Sequence, residues 1–327
     1  MSSRLVESPS ELSGAGVVPL PREYVLMAWD TTYITNIDTY AHGRWNMSEQ
    51  CETPSEEGLA DIAYLARSAN RVKILNALVS GSYTSRDLKQ ATGVSRSTLE
   101  RIVSELEGRD WIERTTRGEY TATTVGEFAM SEFAPLADSM TTLRTLGDAV
   151  DYLPREELSI GLHHFSEASV RAPNSNSATA PAAYMAKLLR EATEFACLVR
   201  VAPSLGFEIA MRDRAATGEL TTEHVVTEDE LAYIAEQPDR VRRWREYLEA
   251  EVDVFCYAGD IPCNLFVIDE TVLVLDREPT VCAFIESENE TVRTWARDVI
   301  EAYRMEADRL QADVFREVSP AGLGRSS

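Results

Sequence analysis

The sequence predicts a two-domain protein of mixed α+β and α/β class: a small helical unit closed by a short β-hairpin, then a larger domain of alternating strands and helices. Three observations predict it. The length of 327 residues exceeds the roughly 100–200 residues that one hydrophobic core usually serves. Apolar residues recur at helical spacing over residues 59–106 and again over 124–146, with a polar hairpin pattern between them. Beyond Pro154, short apolar runs of strand character alternate with helical stretches, the pattern of a sheet buried between helices.

Residues 1–54 carry scattered Ser, Gly, Pro and Thr, one apolar patch at 24–29, and no sustained period. They read either as a disordered arm or as sequence upstream of a true start at Met47. The second reading is favoured because Met47 opens a polar leader that runs straight into the first helical pattern. Over 55–126 the order is regular. Leu59, Ile62, Ala63, Leu65 and Ala66, then Val72, Leu75 and Leu78 or Val79, give one broken helix or two in succession, ended by Gly81. Thr84 stands at an N-cap with Asp87 three residues on, opening a short helix over 85–91. After the Thr92-Gly93-Val94 turn, Ser95 caps a helix whose Leu99, Ile102, Val103 and Leu106 form one apolar stripe. Gly108 and Asp110 end it, and 111–115 and 119–123 read as strands about an Arg117-Gly118 tip. Helix, tight turn, helix and hairpin together make a helix-turn-helix with a β-wing.

Residues 127–153 read as a connecting or dimerisation helix through Phe128, Phe133, Leu136, Met140, Leu143 and Leu146. The α/β domain spans 154–312, and 313–327 is a flexible tail. Its expected strands are 195–201, 252–257, 264–268, 271–275 and 281–285, with a weaker one at 220–226. Helices are expected near 181–194, 206–216, 229–250 and 289–312, and a loop over 172–181.

Charge separates the two domains. The chain has 54 acidic and 32 basic residues, net −22, and only Lys73, Lys89 and Lys187 are lysines. An acidic, lysine-poor surface suits a salt-rich cytoplasm, where screening weakens self-repulsion; an ordinary acidic protein explains the missing lysines less well. Between Arg67 and Arg117, however, ten basic residues face six acidic ones, a net of +4 against −26 for the remainder. Duplex DNA needs a positive face and a narrow protruding element that enters the major groove, and this segment has both. Projection of the second helix opposite its apolar stripe gives a reading face of Ser97, Arg101 and Ser104 flanked by Glu100, with Arg96 in the exposed first turn. Arg96 and Arg101 suit a guanine edge, Ser97 and Ser104 bases or phosphates, Ser85 and Arg86 phosphates, and Arg117 the backbone or minor groove. Taken singly, each arginine is equally a solvated surface residue or the partner of Glu100.

The run DLKQATGVSRSTLERIVSELEGRDWIERTTRGEYTATTVG, residues 87–126, resembles the winged helix-turn-helix of archaeal and bacterial transcriptional regulators. NLFVIDETVLVLD at 264–276, followed by VCAFIES and a long acidic helix, resembles haloarchaeal regulators carrying the middle domain of the methanogenesis and filament regulatory protein. The likeness spans residues 59–310. It implies a homodimeric protein that binds double-stranded DNA, with a second domain that senses a small-molecule effector or mediates assembly.

Other classes find less support. There is no Gly-rich phosphate loop, GxGxxG, HExxH, GxSxG or CxxC, so neither an enzyme nor a cofactor is expected. His163 and His164, if on a strand, point to opposite sides and form a surface pair rather than a metal site. Cys197, Cys256, Cys263 and Cys282 sit in apolar runs and read as core residues, with Cys51 apart. No stretch approaches 18 apolar residues, and a cytoplasmic location is expected. Arg200, Tyr257 and Asp276 fall at strand ends, where α/β sheets bind ligands; each is also an ordinary strand-end polar residue. A winged helix that docks proteins without touching DNA is the competing reading.

Overall fold

The structure, a computed structural model, describes residues 54–173, 177–200, 204–250, 252–276, 282–311 and 314–315. The expectations for residues 1–53, including the start at Met47 and Cys51, fall outside them, as does nearly all of the tail. The described residues from Glu57 onward form one compact unit.

Its first part is built as the apolar period requires. Helices α1 (Glu56–Ala66), α2 (Ala69–Ser80), α3 (Ser85–Thr92) and α4 (Arg96–Glu107) precede a hairpin of β1 (Ile112–Arg114) and β2 (Tyr120–Ala122). Both expected caps form. Thr84 Oγ1 accepts from the Asp87 amide at 3.3 Å and donates to the Asp87 carboxylate at 2.7 Å, and Ser95 Oγ accepts from the Thr98 amide at 3.4 Å. Gly93, at φ +71°, ends α3 in the left-handed region, where a side chain would be strained. Ile74, Leu75, Leu88, Leu99, Ile102 and Leu106 close a core from which water is excluded. Tyr83 also bridges Tyr120, giving the wing a third backbone partner that the sequence pattern did not show.

Helix α5 (Thr124–Leu146) continues into a 3-10 turn (Gly147–Tyr152), and a second 3-10 turn (Leu162–Phe165) precedes β3 (Ser169–Arg171). The rest follows as α6 (Ala180–Glu191), β4 (Glu194–Val199), α7 (Leu205–Ala216), β5 (Thr221–Thr227), α8 (Glu228–Ala235), α9 (Pro238–Leu248), β6 (Asp253–Tyr257), β7 (Asn264–Ile268), β8 (Thr271–Leu275), β9 (Phe284–Ser287), α10 (Glu290–Met305) and β10 (Asp308–Arg309). One sheet runs β10-β6-β5-β4-β7-β8-β9-β3. It is mixed: β4, β5 and β6 are mutually parallel and the other pairings antiparallel. One face is covered by α6, α7 and α9 through Met185, Phe207 and Trp244, the other by α10 and both 3-10 turns through Trp295, Ala149 and Phe165. Both faces being buried explains why β4, β7 and β8 read as continuous apolar runs rather than alternating ones.

Several expectations change. The single helix over 229–250 is two, because Pro238 lacks an amide hydrogen and forces Gln237 out of the helical region, to φ −118° and ψ 100°. The last long helix stops at Met305 rather than 312, and the strand expected at 281–285 is β9, displaced towards Ser287. Strands β3 and β10 carry too little apolar pattern to be seen in advance. His163 and His164 occupy a 3-10 turn, so their rings lie side by side with centroids 4.0 Å apart instead of on opposite faces. Cys197 and Cys263 are buried, whereas Cys256 and Cys282 are half-buried.

Candidate nucleic-acid interface

Helix α4 buries Leu99, Ile102, Val103 and Leu106, and that fixes its rotation about its own axis. Arg96, Ser97, Glu100, Arg101 and Ser104 are consequently all exposed, and so are Ser85 and Arg86 at the start of α3 and Arg117 at the wing tip. The tip is a tight turn in which the Gly118 amide donates to the Thr115 carbonyl at 2.9 Å. It leaves Arg117 at the apex with exposed Thr116. All eight expected residues thus belong to one small folded unit with their side chains in solvent.

Two arginines on α4 are held by carboxylates one turn away. Arg96 Nε donates to Glu100 at 2.8 Å, and that hydrogen bond, with the carboxylate's charge, raises the arginine's pKa further. Because Nε is the bonded atom, this ion pair does not use the terminal nitrogens of Arg96, whose side chain is exposed. Arg101 Nη1 donates to Glu105 at 2.5 Å, and Glu105 also pairs with Arg71 of α2 at 3.3 Å. Burial raises the Glu105 carboxyl, but the hydrogen bond from Arg101 and the charges of Arg101 and Arg71 outweigh it and leave the pKa below its ordinary value. Arg101 is therefore tied to the body of the domain, and Arg96 only to its own helix.

The basic count of the segment overstates its outward charge. Arg71 and Arg109 sandwich the ring of Tyr64 at 4.0 and 4.2 Å; Arg71 also donates to the Tyr64 carbonyl at 2.8 Å, and Arg109 to Asp61 at 3.0 Å. Trp111 meets the same ring edge-on at 5.9 Å. These two arginines join α1 and α2 to the start of the wing. Sequence reasoning placed them with the phosphate-neutralising residues, since spacing alone does not say which way a long side chain turns.

In the α/β domain, Arg200 follows β4 and its guanidinium pairs with Asp229 at 3.2 Å and Asp260 at 3.3 Å. Its amide donates to Asn264 Oδ1 at 2.9 Å, while Asn264 Nδ2 donates to the Asp276 carbonyl at 2.6 Å. Arg200 and Asp276 are thus joined through a buried asparagine that the sequence reading missed; its signal was a polar residue opening an otherwise apolar five-residue strand. Tyr257 packs edge-on against Tyr303 of α10 at 5.0 Å. No helix of the described residues is long and apolar enough to cross a membrane.

Residues 59–145 match the HVO_A0261 N-terminal domain, and residues 178–306 match the middle domain of the methanogenesis regulatory protein FilR1. The chain thus carries two regulator domains in this order, and in that it is similar to haloarchaeal winged-helix regulators. The two matches leave residues 146–177 between them, and together they cover about two thirds of the chain. No curated protein matches it. Among solved structures, TrmBL2, an archaeal chromatin protein, aligns at 11% identity and TM-score 0.35 over 78% of this regulator and 100% of its own chain. Nuc, a phospholipase D family member from Salmonella typhimurium, aligns at 9% identity and TM-score 0.35 over 44% and 99%.

Proposed function

We propose that the chain is a sequence-specific, double-stranded-DNA-binding transcriptional regulator that acts as a homodimer, with an α/β domain that responds to a ligand or mediates assembly. The observation that carries the reading is the exposed face of α4, where Arg96, Ser97, Glu100, Arg101 and Ser104 project together from a helix seated by its buried stripe. Arg96 and Arg101 suit guanine edges. Ser85, Arg86 and the wing's Arg117 suit the flanking phosphates or the minor groove. The acidic remainder of the chain repels DNA and so favours approach by this face. In the α/β domain the linked group of Arg200, Asn264 and Asp276 at the sheet's strand ends is the candidate effector region, with Tyr257 nearby in the strand order. The Arg200 guanidinium already holds two carboxylates, so an effector there joins or replaces an existing ion pair.

Selection of bound fragments from a random double-stranded library, followed by sequencing, tests the reading. The expected result is one motif repeated as a palindrome with half-sites about one helical turn apart. Arg101→Ala is expected to weaken binding to that motif by about 1–3 kcal/mol. Recovery of no motif, or an unchanged footprint for the variant, would overturn the assignment.

A further inference from the structure

At the β9-β3 edge of the sheet, a cavity of about 410 Å³ opens between β3, α6 and the start of α10. That size suits a small metabolite. In the strand register Ser169 stands opposite Glu286 and Arg171 opposite Phe284. Residues two apart in a strand share a face, so all four side chains lie on one side of this edge. Glu286, whose side chain is only 9% exposed, accepts hydrogen bonds from Arg171 Nε, from the Tyr184 hydroxyl of α6 and from Ser169 Oγ at 3.3 Å. Burial and the Glu286 carboxylate push the Tyr184 pKa above its ordinary value, so its hydroxyl stays a donor. The Arg171 guanidinium lies over the Tyr184 ring, 3.8 Å from the centroid, and that ring stacks on Phe284. The guanidinium is thus fixed in place by a buried carboxylate and an aromatic face. Its ion pair uses Nε, and no hydrogen bond among the described residues engages the terminal nitrogens. Glu167 and Glu288, both exposed, also line the cavity and pair with no cation among the described residues.

We infer that this cavity binds a small zwitterion of the free amino acid class, its carboxylate on the terminal nitrogens of Arg171 and its ammonium group against Glu288 and Glu167. The planar fork of a guanidinium matches the two oxygens of a carboxylate. Glu286 does not hold the ligand. Its two oxygens already accept three hydrogen bonds, so it orients Arg171 from behind. Charge narrows the class further. Glu286 and Arg171 offset each other, which leaves the carboxylates of Glu167 and Glu288 uncompensated at the rim. A phosphate or a dicarboxylate meets Arg171 but is repelled by that rim. A simple amine answers the rim and leaves the guanidinium fork unused. A zwitterion answers both, and Ser169 and Asn289 complete a polar lining. The site is separate from the Arg200 group, because Arg200 follows β4, three strands away from β9 in the sheet. It stands on its own geometry and does not depend on the role given to that group.

Isothermal titration of the full chain with each common L-amino acid in turn, without DNA, tests the assignment. At least one is expected to bind with a dissociation constant of about 1 mM or tighter. Propionate and n-butylamine, which carry one of the two charges each, and inorganic phosphate are expected to bind about 10-fold more weakly or not at all. Arg171→Lys keeps the charge and loses the fork, while Glu288→Gln removes one rim charge. Each is expected to weaken the amino acid about 10-fold or more, with unchanged far-UV circular dichroism. Asp229→Asn, at the Arg200 ion pair, is expected to bind as wild type does. Binding of no amino acid overturns the inference, and so does phosphate binding as tightly as the best of them. Wild-type affinity in Arg171→Lys, or a loss confined to Asp229→Asn, overturns the assigned site. Should Arg171→Lys fail to fold, Glu288→Gln, at an exposed position, decides by itself. The DNA motif has its own readout in the selection experiment, so a failure there is seen separately.

Discussion

His224 is carried by β5 into the aromatic interior of the sheet, with Phe195, Trp244 and Tyr247 at ring-centroid distances of 5.8, 5.1 and 6.2 Å. Neither ring nitrogen has a hydrogen-bond partner among the described residues. Burial pushes its pKa down to about 3. The unfolded chain titrates near 6.5, so the folded state keeps its full stability above that pH and loses it as pH falls, because only the unfolded chain takes the proton. The loss approaches about 1.4 kcal/mol per pH unit below the unfolded value. His224→Phe is expected to remove this component: urea unfolding at pH 7 and pH 5 should show a smaller difference for the variant than for wild type. Gly126 is a second single-residue constraint. A Cβ built there meets the Trp111 carbonyl oxygen at 2.0 Å, so the first turn of α5 packs directly on the backbone at the start of the wing. Gly126→Ala is expected to cost about 1–3 kcal/mol, read as a lower Tm. Neither constraint was visible in advance, since a histidine in an alternating strand and a glycine near a helix start each have many uses.

At the scale of elements, α7, α8 and α9 are locked by buried charge. Arg240 donates to Glu208 at 2.5 Å and to Glu230 at 3.1 Å, while Arg243 donates to the second Glu208 oxygen at 3.1 Å. Glu208, Glu230 and Arg240 are all buried. Glu208→Ala leaves Arg240 with an incomplete set of partners in low dielectric, and the expected loss of stability is about 3–5 kcal/mol, measurable by denaturant unfolding. A hairpin gives a second example. The two-residue turn between β7 and β8 puts Asp269 at φ +49°, and its carboxylate accepts from the Thr193 and Glu194 amides at 2.9 Å each, fastening the turn to the start of β4. Capping and turn residues were legible in the sequence because their chemistry is local: Thr84, Ser95 and Gly93 each act within four residues of themselves. The break at Pro238 is equally local, but the long apolar-periodic pattern around it outweighed one residue. The ion network was not legible, because its members lie up to 35 residues apart.

At the scale of the whole molecule, α5 belongs to two cores. Met130 packs in the winged-helix core and Leu146 in the core under the sheet, so one helix contributes to both. Charge is also organised at this scale. Since Arg71 and Arg109 are turned inward, at most eight of the ten basic residues between 67 and 117 remain to meet phosphates. In a titration of affinity against salt, Arg117→Ala is expected to reduce the slope by about one unit per protomer if the wing tip contacts a phosphate. The sequence by itself determined the order of the elements, the caps, the wing and the exposed face of α4, because each follows from spacing along the chain and from chemistry within one or two turns. Only the tertiary structure decided which arginines turn inward, that the sheet is mixed, that Asn264 joins Arg200 to Asp276, and that Glu286 meets Arg171. Those outcomes depend on which distant segments meet, and the periodicity of a single helix or strand carries no record of its neighbour.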